Sequence, residues 1–182
     1  MTIDADLLED CSGQFRAGVR EFYIVASCNV TAGTIGTDHS ITAFTMVSMA
    51  EFFKFQPKDN MSSILLEEGA NGTFSVTVKF SYEGLDKTKL HELQNLIDER
   101  KVIVVAVMNN SAGSNPQAFV LGWDEELEKA AQLEVFGSGG VEEDLIDGTN
   151  LATITMRGRS AEWPREFVGT IDYNSGTVTL GS

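Results

Sequence analysis

The chain has 182 residues, with 27 Asp and Glu against 13 Lys and Arg, for a formal net charge of −14 at neutral pH. That length suits one domain with a packed core, and 42% hydrophobic against 22% charged residues excludes wholesale disorder. The negative balance argues against direct binding to nucleic acid or to an anionic membrane surface, because both require phosphates to be neutralised.

The first ten residues hold Asp4, Asp6, Glu9 and Asp10 and no base, the reverse of a secretory or transit signal. The chain is therefore expected to be made and kept in the cytosol, unless it leaves inside a larger particle. Cys11 and Cys28 are expected to be free thiols in that compartment, and neither belongs to a C-x-x-C pair that would suggest zinc. Glu21–Ala26 and Ser40–Met46 read as strands, Glu51–Gln56 concentrates Phe52, Phe53 and Phe55, and Met61–Glu67 reads as extended.

The clearest local signal is Thr73–Tyr82, where Phe74, Val76, Val78, Phe80 and Tyr82 alternate with small polar residues and Lys79. Period two over that span predicts a strand with one buried face. The period then changes. Leu90, Leu93, Leu96 and Ile97 recur at helical spacing, which predicts an amphipathic helix over about 86–100 with Asp86 as N-cap. Val102–Met108 is apolar throughout and reads as a central strand buried on both faces. A polar loop over Asn109–Pro116 and a strand over Ala118–Trp123 follow.

Glu125–Phe136 is ambiguous, because Leu127, Ala130, Ala131 and Leu133 suit a helix while Leu133–Phe136 suits a strand. Gly137-Ser138-Gly139-Gly140 reads as a flexible connection, and Ala152–Arg157 alternates as a strand. Phe167–Tyr173 and Thr177–Leu180 flank Asn174-Ser175-Gly176, a hairpin signature. The expected fold class is mainly β: a sandwich or barrel with one helix at its flank.

Chemistry is sparse. His91 falls within the predicted helix, and His39 follows Asp38 in a polar turn, where a triad with Ser27 or Cys28 has no nucleophile-elbow motif to support it. The Gly137–Gly140 run completes neither dinucleotide nor phosphate-loop spacing. Glu142, Glu143, Asp144 and Asp147 lack the alternation of a calcium loop and read as a solvated acidic loop. No catalytic residue, cofactor or metal is therefore expected. Arg157, Arg159 and Arg165 form a small basic island suited to pairing with acids, within the domain or across an interface. With Trp163 and with Phe52, Phe53 and Phe55, they make up the candidate inter-subunit contacts, core burial being the competing fate for two of the phenylalanines.

The order of features carries a resemblance. Asp10-Cys11, then Gly18-Val19-Arg20-Glu21-Phe22-Tyr23-Ile24-Val25, resembles the opening of tail tube proteins in phages of Bacteroidetes hosts. Glu51-Phe52-Phe53-Lys54-Phe55, Ser62-Ser63 and Asn71-Gly72-Thr73 are similar to that family's central stretch. Gly84-Leu85-Asp86, Val102–Met108 and Phe119-Val120-Leu121-Gly122-Trp123-Asp124 resemble its helix, strand and turn. Gly137–Gly139, Asp144 and Ala152–Gly158 match its closing half.

The resemblance implies a tail-tube fold with an N-terminal arm over about 1–18 and an inter-ring arm over about 42–66. It further implies a virion protein whose copies form rings, hexameric in that family, stacked into a conduit. The other partners would be further tail proteins, with no membrane. DNA would be cargo that does not adhere, and Glu125, Glu126, Glu142, Glu143, Asp144 and Asp147 would supply an acidic lumen or surface that repels it. The alternatives are another virion part (a head–tail connector, tail terminator or capsid decoration) or a small binding module or hydrolase. The last would gather His39, Trp123 or Trp163 with carboxylates in a pocket.

Overall fold

The apolar run after the helix becomes the axis of the molecule. In the computed structural model, which describes residues 18–57, 61–69, 72–83, 87–109, 115–141, 150–173 and 176–181, strand β7 spans Lys101–Met108. Its residues Val102 to Val107 are all buried, as an all-apolar β-branched strand requires. One edge of β7 takes β1 (Val19–Ala26), antiparallel, over most of its length. The other edge is shared. Lys101 and Val102 pair with β9 (Leu133–Val141), and Val104 to Val107 pair with β8 (Ala118–Leu121).

From β9 the sheet continues through β10 (Asn150–Ser160), β6 (Phe74–Glu83) and β5 (Ser62–Glu68). Beyond β1 it ends at the short β4 (Phe53–Phe55). The long sheet curls until the Ser62 hydroxyl at the start of β5 donates to the Val19 carbonyl of β1 at 3.1 Å, yet no ladder joins the two strands. Helix α1 (Lys87–Glu99) enters the curl with Leu93 and Leu96 buried. Two two-stranded sheets cover the opposite side of β1 and β7: β2 (Val30–Ile35) with β3 (Ile41–Met46), and β11 (Gly169–Tyr173) with β12 (Gly176–Leu180).

The fold is thus mainly β with one helix, and β1 and β7 divide it into two cores. Inside the curl, Phe22, Ile24, Val104 and Ala106 meet Val76, Val78, Phe80, Leu133, Ile154 and Met156. On the other face, Tyr23, Val25, Ile103 and Val105 meet Val30, Ile41, Phe167, Ile171 and Leu180. Alternation along β1 sends successive side chains into different cores. Phe44 is the aromatic centre of the second, with its ring about 6 Å from those of Phe52, Trp123 and Phe167.

The Gly137–Gly140 run, expected as a flexible connection, lies within β9, where Gly137 to Gly140 pair with Ile154 to Leu151 of β10. Its glycine has a packing purpose. A Cβ on Gly137 would stand 2.2 Å from Ile97 Cδ1, so the bare backbone lets α1 lie against the strand. The ambiguous 125–136 stretch resolves into a turn, a 3-10 segment at Lys129–Ala131, and β9 from Leu133. Strand β2 escaped sequence reading because only Val30 in it is fully buried, which leaves little alternation to detect. The segment expected as an inter-ring arm, about 42–66, contributes to β3, β4 and β5, all paired within this chain. Residues 1–17, which hold nearly all of the expected N-terminal arm, lie outside the described residues.

Candidate assembly surface

Three polar clusters fasten the scaffold from inside. Glu21 is only 4% exposed on β1. Its carboxylate receives Lys54 Nζ of β4 at 2.7 Å and Arg20 Nη2 at 2.8 Å, while the Tyr23 hydroxyl donates to it at 3.2 Å. The Lys54 ammonium also lies 5.8 Å from the ring centroids of Tyr23 and Tyr173, so one cation ties β4 to β1 and to the β11–β12 hairpin. Burial works to raise the Glu21 carboxyl, but hydrogen bonds from Lys54 and Arg20 together hold it below its ordinary value. Burial, followed by the Glu21 charge, pushes the Tyr23 phenol well up.

Asp124 is 1% exposed. It accepts from the Leu127 amide at 2.5 Å, the Ser160 hydroxyl at 3.0 Å and the Ala161 amide at 2.8 Å, locking the turn after β8 to the end of β10. Nearby, Arg165 forks onto Glu162 at 2.8 and 2.7 Å, reaches Glu125 at 2.5 Å and donates to the His39 carbonyl at 3.0 Å. Hydrogen bonding from Arg165 holds the Glu162 carboxyl below its usual range. The backbone beside these clusters is cross-stitched: the Val120 amide donates to the Arg165 carbonyl, and the Ile41 amide to the Glu166 carbonyl.

Surface features follow from what this scaffold leaves uncovered. The described large hydrophobics that stay exposed are Val47, Met49, Phe53, Leu65, Leu127, Phe136 and Trp163. Strand β5 is a sheet edge seven residues long, with no lysine, no proline and no register shift in its pairing with β6, and with Leu65 51% exposed. Sheet registry also fixes the composition of the outward face of β9, β10, β6 and β5. Across it run the rows Phe136–Thr155–Lys79–Ser63, Glu134–Arg157–Thr77–Leu65 and Arg159–Ser75–Glu67. Those three rows hold Lys79, Arg157 and Arg159 together with Glu134 and Glu67.

A groove opens between α1 and β4. Its volume is about 320 Å³, its floor includes Ile24, Phe53 and Leu96, and Glu92, Asp98 and Glu99 stand at its rim. His39, Trp123 and Trp163 do not line it. His39 is exposed in a left-handed turn conformation, Trp123 is buried against Gly33, and Ser27 donates its hydroxyl to Gln132 at 2.7 Å. Among the described residues there is no group of three or more His, Cys, Asp or Glu placed to hold a metal ion. No described helix is long and apolar enough to cross a membrane.

The expected contact residues divide accordingly. Phe52 is 3% exposed and belongs to the second core, so it is corrected from contact residue to core residue; alternation turns it inward where Phe53 turns outward. Phe55 is half-buried, its ring 6.0 Å from Phe80. Arg165 is engaged within its own chain by Glu125 and Glu162, the within-domain alternative for the arginines. Phe53, Arg157, Arg159 and Trp163 remain exposed, Trp163 by 64% with its ring 5.0 Å from Phe74. Of the candidate lumen acids, Glu125 pairs with Arg165 and Glu126 is exposed. Glu142, Glu143, Asp144 and Asp147 lie outside the described residues. Asp124 is the site residue that sequence reasoning passed over; its one signal was its place in the turn after Gly122-Trp123. No family model, no curated protein and no solved structure matches the chain.

Proposed function

We propose that the chain is a structural subunit of a phage tail tube, whose copies close into rings and stack into a conduit for DNA. The observation that carries it is the β5 edge. A long edge strand is a template for pairing with another chain, and monomeric proteins usually guard such edges with lysine, proline or bulges. Ser62–Leu66 has no charge, proline or register shift, the strand's two carboxylates standing at its end at Glu67 and Glu68, and Leu65 is presented to solvent. A neighbour's strand laid along it would continue the sheet from one copy to the next. The sequence resemblance gives this assembly its context, and the net charge of −14 suits a conduit that must not hold DNA.

The test is direct. Purified protein concentrated at physiological salt is expected to form rings and short tubes in negative-stain micrographs, with matching fast species in sedimentation velocity. Monodisperse monomer at every concentration would sink the proposal. Rings that never stack would favour a connector or terminator instead.

A further inference from the structure

The two ends of the β9–β10 pair carry opposite charge. Toward the end of β10, Arg157 and Arg159 lie two residues apart on the outward face, both exposed. With Ser75, Gln132 and Glu134 they line an open pocket of about 390 Å³. The ladder sets Glu134 between Arg157 and Lys101, one carboxylate between two cations. Among the described residues no ion pair closes there or at Arg159. The Gln132 carbonyl oxygen already accepts from the Ser27 hydroxyl at 2.7 Å, which leaves its amide NH2 as a donor. Two guanidiniums, an amide donor and the Ser75 hydroxyl are the composition of a carboxylate receptor.

At the other end, β9 finishes at Val141 and β10 begins at Asn150, and these two residues pair. The sequence between them holds Glu142, Glu143, Asp144 and Asp147, and no base occurs from Ala130 to Met156. These carboxylates do not reach the pocket of their own chain. Arg157 lies seven residues along β10 from Asn150, roughly 24 Å at the rise of a strand. Asp144 and Asp147 are each three residues from a paired strand end, so they extend no further than about 11 Å from it.

We propose that the Arg157 and Arg159 pocket receives the acidic segment Glu142–Asp147 of a second copy, resting on the self-assembly proposed above. Charge complementarity selects this occupant. The chain's other long acidic run, Asp124–Glu128, has Asp124 buried and Glu125 held by Arg165. Acids and bases stand at opposite ends of one strand pair, so the contact is head-to-tail, and each added copy presents a fresh segment and a fresh pocket. Copies then add end to end along the strands, whereas pairing at β5 adds them side by side. Stacked rings require both directions of growth.

The test reverses charge on each side. Arg157→Glu with Arg159→Glu alters the pocket, and Glu143→Lys with Asp144→Lys alters the segment, with circular dichroism and urea unfolding read first on each. Either double variant should keep rings in negative-stain micrographs and lose tubes. Tubes should return when the two variants are mixed, and in the chain carrying all four changes, because opposite charges again face one another. General repulsion predicts otherwise for the segment variant, which is less negative than the parent and would stack more readily. If the lysines unfold that variant, Glu143→Gln with Asp144→Asn reads the same contact: tubes should shorten, and added salt should shorten them no further.

A parent chain that stays monomeric would overturn both this contact and the function proposed above. Parent tubes that survive both reversals would overturn the contact alone, as would loss without recovery on mixing. Loss in the pocket variant but not in either segment variant would mean a different occupant, and would overturn it too.

Discussion

Glu21 sits where the hydrophobic effect alone would place an apolar residue, and it stays charged because Lys54 and Arg20 come to it. Removing one partner of a buried pair leaves the other charge without compensation, which costs more than the pair contributes. Lys54→Met should therefore destabilise the fold by about 3 kcal/mol in urea titration, and adding Glu21→Gln should recover part of that loss. The same logic gives a pH dependence. Glu21 and Glu162 both have folded-state pKa values below their ordinary 4.5. Their contribution is complete above that value and is lost as pH falls through the lower folded values. The thermal midpoint should drop in that acidic window, and the drop should be shallower in Glu162→Gln. Asp124 is a second buried carboxylate, satisfied by two amides and a hydroxyl. Asp124→Ala should cost about 3 kcal/mol, because those donors lose their acceptor inside the protein.

Between elements, the most constrained contact is that of α1 on β9. The strand accepts the helix only because Gly137 lacks a side chain where Ile97 arrives. Gly137→Ala should destabilise by about 2 kcal/mol through overpacking. Ile97→Ala in the same chain should relieve part of this, so a double-mutant cycle should show coupling between the two positions. Additive effects would mean that the helix shifts freely on the strand. The contact also sets one wall of the groove, since Leu96 on its floor and Asp98 and Glu99 on its rim lie on the same helix as Ile97.

At the scale of the whole molecule, the sheet is rolled almost shut, and among the described residues β5 pairs with β6 alone. A lysine at the exposed Leu65 position should cap that edge by charge and desolvation. Leu65→Lys is expected to abolish rings in micrographs while leaving the urea midpoint of the monomer unchanged. Rings that persist would move the growth surface away from β5.

Sequence alone determined the β-rich class, the doubly buried β7, the half-buried β6, helix α1 and the β11–β12 hairpin. Each is a local pattern whose period or turn chemistry is written in consecutive residues. It also nominated Phe53, Arg157, Arg159 and Trp163, all of which stand at the surface. Only the tertiary structure decided which face each residue meets. It sent Phe52 to a core, engaged Arg165 with Glu125 and Glu162, and made a ladder of the glycine run in β9. Those outcomes depend on partners distant in the chain: β10 for the glycines, the β11–β12 hairpin for Phe52, and the turn after β8 for Arg165. A free edge is likewise a property of the finished sheet. Ser62–Glu68 could be read as extended from its own residues, but that β6 is its partner among the described strands was decided only by the assembled sheet.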